Sequence, residues 1–264
     1  MNFVTIDELN CEIRNKLNLI PRTVDIVIGV PRSGMLVASL IALYLNLPLS
    51  DLDSFVKGEI YSLGKTKKNV DWISDISEAR QILIVEDSSY TGASIREAKQ
   101  RIQDSPYKDR VVFLAAIVTK DAKKLVDISF MERQPPRVFE WNMFHHQLVS
   151  RMCFDLDGVL CEDPTDEQND DGEKYIDFVL NAPLKVKPTF EIGYIVTSRL
   201  EKYRDITEQW LKNNGIRYKE LIMMQYKTKE ERILYETFRY IKLWMDSNWH
   251  IGYIRSNSLR CSSI

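Results

Sequence analysis

The sequence predicts an α/β protein made of two doubly wound parallel-sheet domains, residues 1–147 and 148–264. Short β-branched runs alternate with helical patterns along the chain, which indicates parallel strands joined by helical crossovers. The alternation breaks at residues 134–137, where two prolines occur together, and a second cycle follows. A length of 264 residues fits one or two domains at about 150 residues each.

Composition excludes several classes of protein. The chain has 36 Lys+Arg and 38 Asp+Glu, a net charge of −2, which argues against a basic nucleic-acid binder. Its 44% hydrophobic content argues against disorder. The four cysteines form no Cys-x-x-Cys pair, so neither a zinc site nor a disulfide scaffold is expected. The acidic start and the short apolar stretch 35–49 predict a cytoplasmic protein with no signal peptide and no membrane span.

The first half begins with a helix, because Thr5 and Glu8 form a capping box before a helical apolar pattern. The polar stretch 54–73 has no clear period and is either a hairpin or a mobile loop. The remaining expected elements are a strand at 24–29, a helix at 35–46, a strand at 81–85, a helix at 93–103 and a strand at 111–118.

The second half repeats the alternation. Gly215 is a plausible C-cap because it follows the apolar stripe of an expected helix. The expected elements are strands at 152–154 and 193–196, a helix at 200–213, a strand at 221–224, a helix at 229–240 and a last strand at 241–245.

An apolar strand in the first half ends in two adjacent carboxylates, Glu86 and Asp87, followed by small hydroxylated residues and a helix start. Hydroxyls and the backbone N–H groups at a helix N-terminus bind anions. Two carboxylates beside such a site are favourable when they accept hydrogen bonds from hydroxyls of the same ligand. The pattern predicts a ribose 5-phosphate site; an ordinary capped strand-to-helix turn is the alternative.

This run resembles the signature of the type I phosphoribosyltransferases, which bind phosphoribosyl pyrophosphate (PRPP). The resemblance implies that Glu86 and Asp87 hold the ribose hydroxyls. The residues that would wrap the 5-phosphate are Ser88, Ser89, Tyr90, Thr91 and Gly92. The earlier loop 29–34 resembles the pyrophosphate loop of that family, in which Arg32, Ser33 and Gly34 would face pyrophosphate with Mg²⁺. Between the two loops, Lys57, Lys65, Lys67 and Lys68 resemble a mobile cover, although a solvated basic loop explains them equally well.

A second acid pair, Asp155 and Asp157, follows an apolar strand and precedes a glycine. Alternate residues of a strand share a face, so both carboxylates can reach one Mg²⁺ and one phosphoryl group. The motif resembles the haloacid dehalogenase (HAD) superfamily, with a fold that carries little or no cap. A calcium-binding or helix-capping Asp-x-Asp-Gly turn is the alternative.

The HAD resemblance implies roles for individual residues. Asp155 would be the nucleophile and Asp157 the general acid/base, and Thr197 would bind the phosphoryl group, with Ser198 as a helix cap. The implied metal ligands are Asp155, Asp157 and Asp246, and the implied lysine is Lys227 or Lys229.

Together the two resemblances imply a bifunctional enzyme that uses Mg²⁺ in both domains. It would transfer 5-phosphoribosyl from PRPP to an unidentified acceptor, such as a sugar or polyol, and then remove the 5-phosphate. A nucleobase-salvage transferase with a nucleotide phosphatase domain is one alternative, and a non-catalytic PRPP-sensing module is another. The family resemblance also implies a homodimer.

Overall fold

The structure is a computed structural model that describes residues 2–61, 72–228 and the strand at 253–254. The strands are β1 (Asn2–Val4), β2 (Val24–Gly29), β3 (Leu49–Asp51), β4 (Gln81–Ser89), β5 (Val111–Val118), β6 (Ile128–Glu132), β7 (Arg137–Phe139), β8 (Cys153–Phe154), β9 (Ile192–Leu200), β10 (Tyr218–Met224) and β11 (Tyr253–Ile254). The α-helices are α1 (Ile6–Lys16), α2 (Gly34–Leu45), α3 (Leu52–Val56), α4 (Ala93–Arg101), α5 (Glu173–Asn181) and α6 (Arg204–Asn213).

The chain divides into two compact units, a first unit that contains Val4–Arg137 and a second unit that runs from Val138 onward. Strands β1 and β7 pair with each other and belong to neither of the two larger sheets. The domain boundary expected between residues 147 and 148 stays a prediction. Within the parts of the chain that can be described, no helix has the length and apolar character needed to cross a membrane.

The first unit is built on a five-stranded parallel sheet in the order β3-β2-β4-β5-β6. The central strand β4 is buried from Ile82 through Val85, as expected for a parallel sheet that is covered on both faces. Gly29, the last residue of β2, is in register with Val85 on β4. The loops that follow β2 and β4 therefore leave the carboxyl edge of the sheet side by side.

Most elements expected in the first half are confirmed. The side-chain oxygen of Thr5 accepts a hydrogen bond from the Glu8 N–H at 3.0 Å and caps α1. Strands β2 and β5 have the expected bounds. Strand β4 extends four residues further than expected, to Ser89, because it remains paired with β5 as far as the Ser89–Val118 position.

Residues 54–56 belong to the short helix α3, where no helix was expected, and the hairpin and loop alternatives for the rest of the stretch 54–73 stay predictions. Asp51 accepts hydrogen bonds from the N–H groups of Asp53 and Ser54, at 2.7 and 3.0 Å, and so caps the short helix α3 at this point. Residues 62–71 lie outside the described residues. Strands β3 and β6 were not expected; both are short, and their sequences carry no long β-branched run.

The second unit contains a four-stranded parallel sheet in the order β10-β9-β8-β11. Helix α6 begins four residues later than expected, because β9 continues to Leu200 and a 3₁₀ turn at Glu201–Tyr203 follows it. Gly215 has φ +63° just beyond the helix, which confirms it as the C-cap glycine. The expected helix 229–240 and strand 241–245 lie outside the described residues. Strand β8 pairs with β9 on one side and with β11 on the other.

Helix α5 lies between β8 and β9 in the chain, where no helix was expected. Tyr175, Phe178 and Val179 on this helix are buried in the core of the second unit. Trp210 on α6 is also buried, and its indole N–H donates to the carbonyl of Ala182 at 2.9 Å. The parallel sheet of this unit is therefore covered by packed helices, whereas its assignment to the HAD fold stays a prediction.

Candidate functional site

The Glu86–Asp87 pair lies near the end of β4, at the carboxyl edge of the first sheet. Both residues are buried, with 6% of each exposed. The Asp87 N–H donates to Glu86 Oε1 at 3.1 Å. Burial raises the pKa of Glu86 to about 8, and a hydrogen bond with the Asp87 side chain and the negative charge of that side chain act in the same direction. Hydrogen bonds from Ser94 and from the Asp87 N–H act in the opposite direction. Two buried carboxylates beside each other thus favour a ligand that brings positive charge or hydroxyl donors.

Residues 88–92 continue from the acid pair into α4 and are called here the 88–92 loop; the first two of them, Ser88 and Ser89, are the last residues of β4. The Thr119 hydroxyl, just after β5, donates to the Tyr90 carbonyl at 2.7 Å, and the Thr119 N–H donates to the Ser89 carbonyl at 3.2 Å. Arg96 on α4 donates from Nη2 to the Thr91 carbonyl at 2.9 Å. The loop backbone is therefore fixed from both β5 and α4.

Two features favour glycine at position 92, at the start of α4. Its φ is +80°, a conformation that side-chain-bearing residues rarely adopt. A Cβ atom here would also lie 2.0 Å from Cδ1 of Leu125. The helix that follows leaves its first N–H groups without partners in the helix, and these can bind an anion.

The other members of the 88–92 loop differ in exposure. Tyr90 is 58% exposed, and Thr91 is exposed as well. Ser88 is partly buried. Ser89 is buried, and its hydroxyl oxygen finds no hydrogen-bond partner among the residues that the structure describes. An unpartnered buried hydroxyl in this loop is consistent with a site completed by a ligand.

The loop after β2 lies against the end of β4. The Val30 N–H donates to the Val85 carbonyl at 2.8 Å. A Cβ atom on Gly34 would lie 2.7 Å from that same carbonyl oxygen, so only glycine permits this close approach. Arg32 is exposed and Ser33 partly buried, and the Pro31–Arg32 peptide bond is cis. The structure thus brings the loop after β2 against β4 at Val85 and Glu86.

Arg137, at the end of the first unit, contacts the 88–92 loop. Its guanidinium carbon lies 5.6 Å from the centre of the Tyr90 ring. Burial lowers the pKa of Arg137, and the negative charge of Asp87 acts in the opposite direction. Sequence reasoning missed this residue, because residue 137 was assigned only to the break in the alternation of strands and helices at 134–137.

The carboxylates of Glu86 and Asp87 fit a magnesium ion, since Mg²⁺ prefers oxygen ligands and is held in proteins by one or two carboxylates plus substrate phosphates. Such an ion would also stabilise the ionised form of Glu86, which burial and the negative charge of Asp87 both disfavour. Within residues 2–61 and 72–228, no group of three or more His, Cys, Asp and Glu side chains forms a metal-binding cluster.

The second acid pair follows β8, the strand that lies between β9 and β11. Asp155 comes directly after this strand and is partly buried, and its Oδ1 accepts the Leu156 N–H at 2.8 Å. Gly158, with φ +76°, turns the chain immediately after the pair. Asp155 therefore stands at the carboxyl edge of the second sheet.

Asp157 is bound by Arg199, which sequence reasoning did not assign. Arg199 donates from Nη2 to Asp157 Oδ1 at 2.6 Å and from Nε to Oδ2 at 3.0 Å. The Arg199 side chain is 0% exposed and that of Asp157 is 14% exposed. Burial opposes the charge of the guanidinium, but the attraction and hydrogen bonds of Asp157 outweigh it and raise the pKa of Arg199.

Further contacts surround this ion pair. The Cys161 thiol donates to Asp157 Oδ1 at 3.3 Å, and Arg199 Nη1 lies 3.4 Å from the Thr207 hydroxyl. Burial raises the pKa of the Cys161 thiol, which therefore stays neutral. The Asp157 carboxylate is thus occupied by donors on both oxygens, and this arrangement does not fit the magnesium site expected from Asp155 and Asp157.

Of the remaining predicted residues of the second unit, the structure describes Thr197 and Lys227. Thr197 is buried in β9, and its hydroxyl accepts the Arg199 N–H at 3.3 Å. Lys227 is exposed. The residues that lie outside the described part of the chain are Lys229 and Asp246, and also Lys65, Lys67 and Lys68 of the expected cover.

Comparison with solved structures gives weak similarities to phosphoribosyltransferases. A purine phosphoribosyltransferase from Pyrococcus horikoshii Ot3 is 16% identical, with a TM-score of 0.38 over 53% of this chain and 95% of that chain. The Helicobacter pylori xanthine-guanine-hypoxanthine phosphoribosyltransferase is 17% identical, with a TM-score of 0.40 over 53% of this chain and 92% of that chain. The orotate phosphoribosyltransferase of Aeropyrum pernix is 17% identical, with a TM-score of 0.32 over 48% and 72%. At these TM-scores the similarities identify no activity.

No curated protein sequence matches the chain. The family model described as the phosphoribosyl transferase domain, in contrast, matches residues 4–148, which is more than half of the chain. That range contains the Glu86–Asp87 pair, the 88–92 loop and the loop after β2. This chain belongs to the phosphoribosyl transferase domain family.

Proposed function

We propose that the first unit transfers the 5-phosphoribosyl group of PRPP to an acceptor. The observation that carries the proposal is the buried Glu86–Asp87 pair beside the 88–92 loop. Carboxylates accept hydrogen bonds from the vicinal 2- and 3-hydroxyls of a ribose, and the loop and the start of α4 offer donors to its phosphate. The site therefore offers hydrogen-bond acceptors at one end and hydrogen-bond donors at the other. Ribose 5-phosphate needs both, because it has hydroxyls at one end and a phosphate at the other.

The reaction proposed is displacement of pyrophosphate at the anomeric carbon. Glu86 and Asp87 would hold the ribose and orient its C1 toward the acceptor, which lowers the entropic part of the barrier. Arg32, Ser33 and the N–H groups near Gly34 would face the leaving pyrophosphate and stabilise the charge that develops on it. Mg²⁺, when bound with PRPP, supplies further positive charge to the pyrophosphate oxygens.

The first experiment incubates the protein with PRPP, Mg²⁺ and separate pools of sugars and polyols or of nucleobases, and measures pyrophosphate and phosphate separately. Asp87→Asn is expected to reduce pyrophosphate release about 10- to 100-fold, since hydrogen bonds to charged groups contribute about 1.5–3 kcal/mol each. Asp104→Asn, which removes the same charge at an exposed position, is the matched control.

The acceptor pools separate the alternatives. Turnover with sugars or polyols supports glycosyl transfer to such acceptors, and turnover with free nucleobases supports base salvage. Binding of PRPP without release of pyrophosphate from any pool contradicts transfer and supports a PRPP-sensing module instead.

The second part of the proposal is that the second unit removes the 5-phosphate from the product. It is supported by Asp155, which stands after a central parallel strand and is followed by the turn at Gly158. Thr197 lies on the adjacent strand, two residues beyond the Phe154–Ile195 register position. Because Arg199 occupies the Asp157 carboxylate, Asp157 has to give up one of these contacts before it can donate a proton.

Asp155→Asn tests this second activity. The variant is expected to release pyrophosphate at the parental rate and to accumulate the phosphorylated product, with no free phosphate. Asp166→Asn, an exposed acid in the same unit, is the control. Equal phosphate release from Asp155→Asn and the parent contradicts a phosphatase role for Asp155.

A further inference from the structure

The charge balance of the 88–92 loop is unfavourable for a phosphate. A phosphate monoester carries about −1.5 to −2 charge at pH 7. None of the five residues in the loop is charged, and the two residues immediately before it, Glu86 and Asp87, are acids. Helix N-terminal N–H groups supply only about half a positive charge. A cation beside this loop would therefore strengthen the binding of a dianionic phosphate.

Two arginines in the described part of the first unit contact the loop, and they do so differently. Arg96 reaches it from α4 and donates to the Thr91 carbonyl, so its contact is with the loop backbone. Arg137 lies over the ring of Tyr90, with its guanidinium carbon 5.6 Å from the ring centre. Its charge is also within reach of the Asp87 carboxylate.

We propose that Arg137 binds the 5-phosphate of PRPP and supplies the positive charge that the 88–92 loop lacks. This inference rests on the proposed transferase function and names a substrate-binding residue for it. A guanidinium presents a planar set of N–H donors that matches two phosphate oxygens, and stacking on an aromatic ring orients that plane. Tyr90, a member of the loop, is the ring on which Arg137 lies.

Partial burial strengthens this role. Arg137 is partly buried, and a charge interaction is stronger where water is partly excluded. Burial lowers the pKa of Arg137, and the negative charge of Asp87 acts in the opposite direction. Arginine nevertheless keeps its proton in proteins, so the group remains a cation.

The pyrophosphate of PRPP offers the same phosphoryl oxygens as the 5-phosphate, so the experiment separates the two sources. Isothermal titration calorimetry measures the affinity of the full chain for ribose 5-phosphate, for pyrophosphate with Mg²⁺ and for PRPP with Mg²⁺. Ribose 5-phosphate carries only the first group and pyrophosphate only the second.

Arg137→Gln is expected to weaken ribose 5-phosphate and PRPP binding about 10- to 100-fold, the effect of losing a charged hydrogen-bonded contact, and to leave pyrophosphate binding unchanged. Arg137→Lys keeps the charge without the planar donors, so an intermediate loss is expected. The control Arg22→Gln removes an exposed arginine just before β2, at the opposite edge of the sheet, and is expected to bind as the parent does.

Two results would overturn the inference. The first is parental affinity of both Arg137 variants for ribose 5-phosphate. The second is a loss confined to pyrophosphate, which would assign Arg137 to the leaving group. A parent chain that binds neither ribose 5-phosphate nor PRPP would instead contradict the proposed function itself. The thermal midpoint of each variant is measured alongside, and Arg137→Lys carries the test if Arg137→Gln does not fold.

Discussion

Each of the two parallel sheets places a pair of acids at the carboxyl end of a strand, Glu86 and Asp87 on β4 and Asp155 and Asp157 after β8. In the second pair, Arg199 neutralises Asp157 through two oxygen contacts. In the first, none of the salt bridges among the described residues involves Glu86 or Asp87, and the pKa of Glu86 rises to about 8 instead. The charge of the first pair thus awaits a ligand, whereas Arg199 already balances the charge of Asp157 within the fold.

The largest expected effect is on the stability of the second unit. Asp157→Asn leaves the fully buried Arg199 without its charged partner, and we expect a loss of about 3–5 kcal/mol in the free energy of unfolding. Urea unfolding followed by circular dichroism measures it, with the exposed Asp166→Asn as the control. Adding Arg199→Met is expected to recover at least half of the loss, because no buried charge then remains unpaired. A loss below about 1 kcal/mol would show that the pair is not structural.

The second expected effect is a pH dependence that arises in the first unit. The pKa of Glu86 is about 8 in the folded chain against an ordinary value of 4.5, so between these values the folded chain holds a proton that the unfolded chain releases. Its stabilising contribution is complete below the ordinary pKa and is lost as the pH rises through the folded one. From pH 6 to pH 7 the unfolding free energy of the first unit is expected to fall by about 1.4 kcal/mol.

Urea unfolding at the two pH values measures this change, and Glu86→Gln is expected to remove it. The charged and polar groups that act on Glu86 or on its partner are Asp87, Ser94 and Arg137, and none of them is changed in that variant. An identical pH dependence in Glu86→Gln would assign the effect to another group.

The smallest expected effect is a gain in the stability of the unligated protein. Asp87→Asn removes the like charge beside Glu86, so the pKa of Glu86 moves toward its ordinary range and the unligated protein gains about 1 kcal/mol of stability at pH 7. The same variant is expected to lose transferase activity. The thermal midpoint and the release of pyrophosphate are measured on one preparation. If Asp87→Asn destabilised the protein as much as Asp157→Asn does, the two acid pairs would not differ in the way described.

The sequence predicted the first site better than its surroundings. Glu86, Asp87 and the loop after them are contiguous in the chain, and a continuous apolar run identified the strand that carries them. Arg137 lies about fifty residues later, and only the tertiary structure brings it over Tyr90. No periodicity or local motif encodes such a contact.

The second unit differs from the sequence-based expectation at Arg199 and at helix α5. The expected strand ended at residue 196, whereas β9 continues to Leu200, so Arg199 shares a face with Thr197 and reaches Asp157 beyond the neighbouring strand. Helix α5 had a signal, since Tyr175, Phe178 and Val179 have helical spacing.

The hydrogen bonds from Thr119 to the 88–92 loop have a consequence for ligand affinity. They join the loop to the end of β5, and Arg96 joins it to α4, so its backbone is already ordered when no ligand is bound. A preorganised loop loses little conformational entropy on association, so more of the interaction free energy appears as binding affinity. Specificity for the ligand is then set by a shape that exists before the encounter.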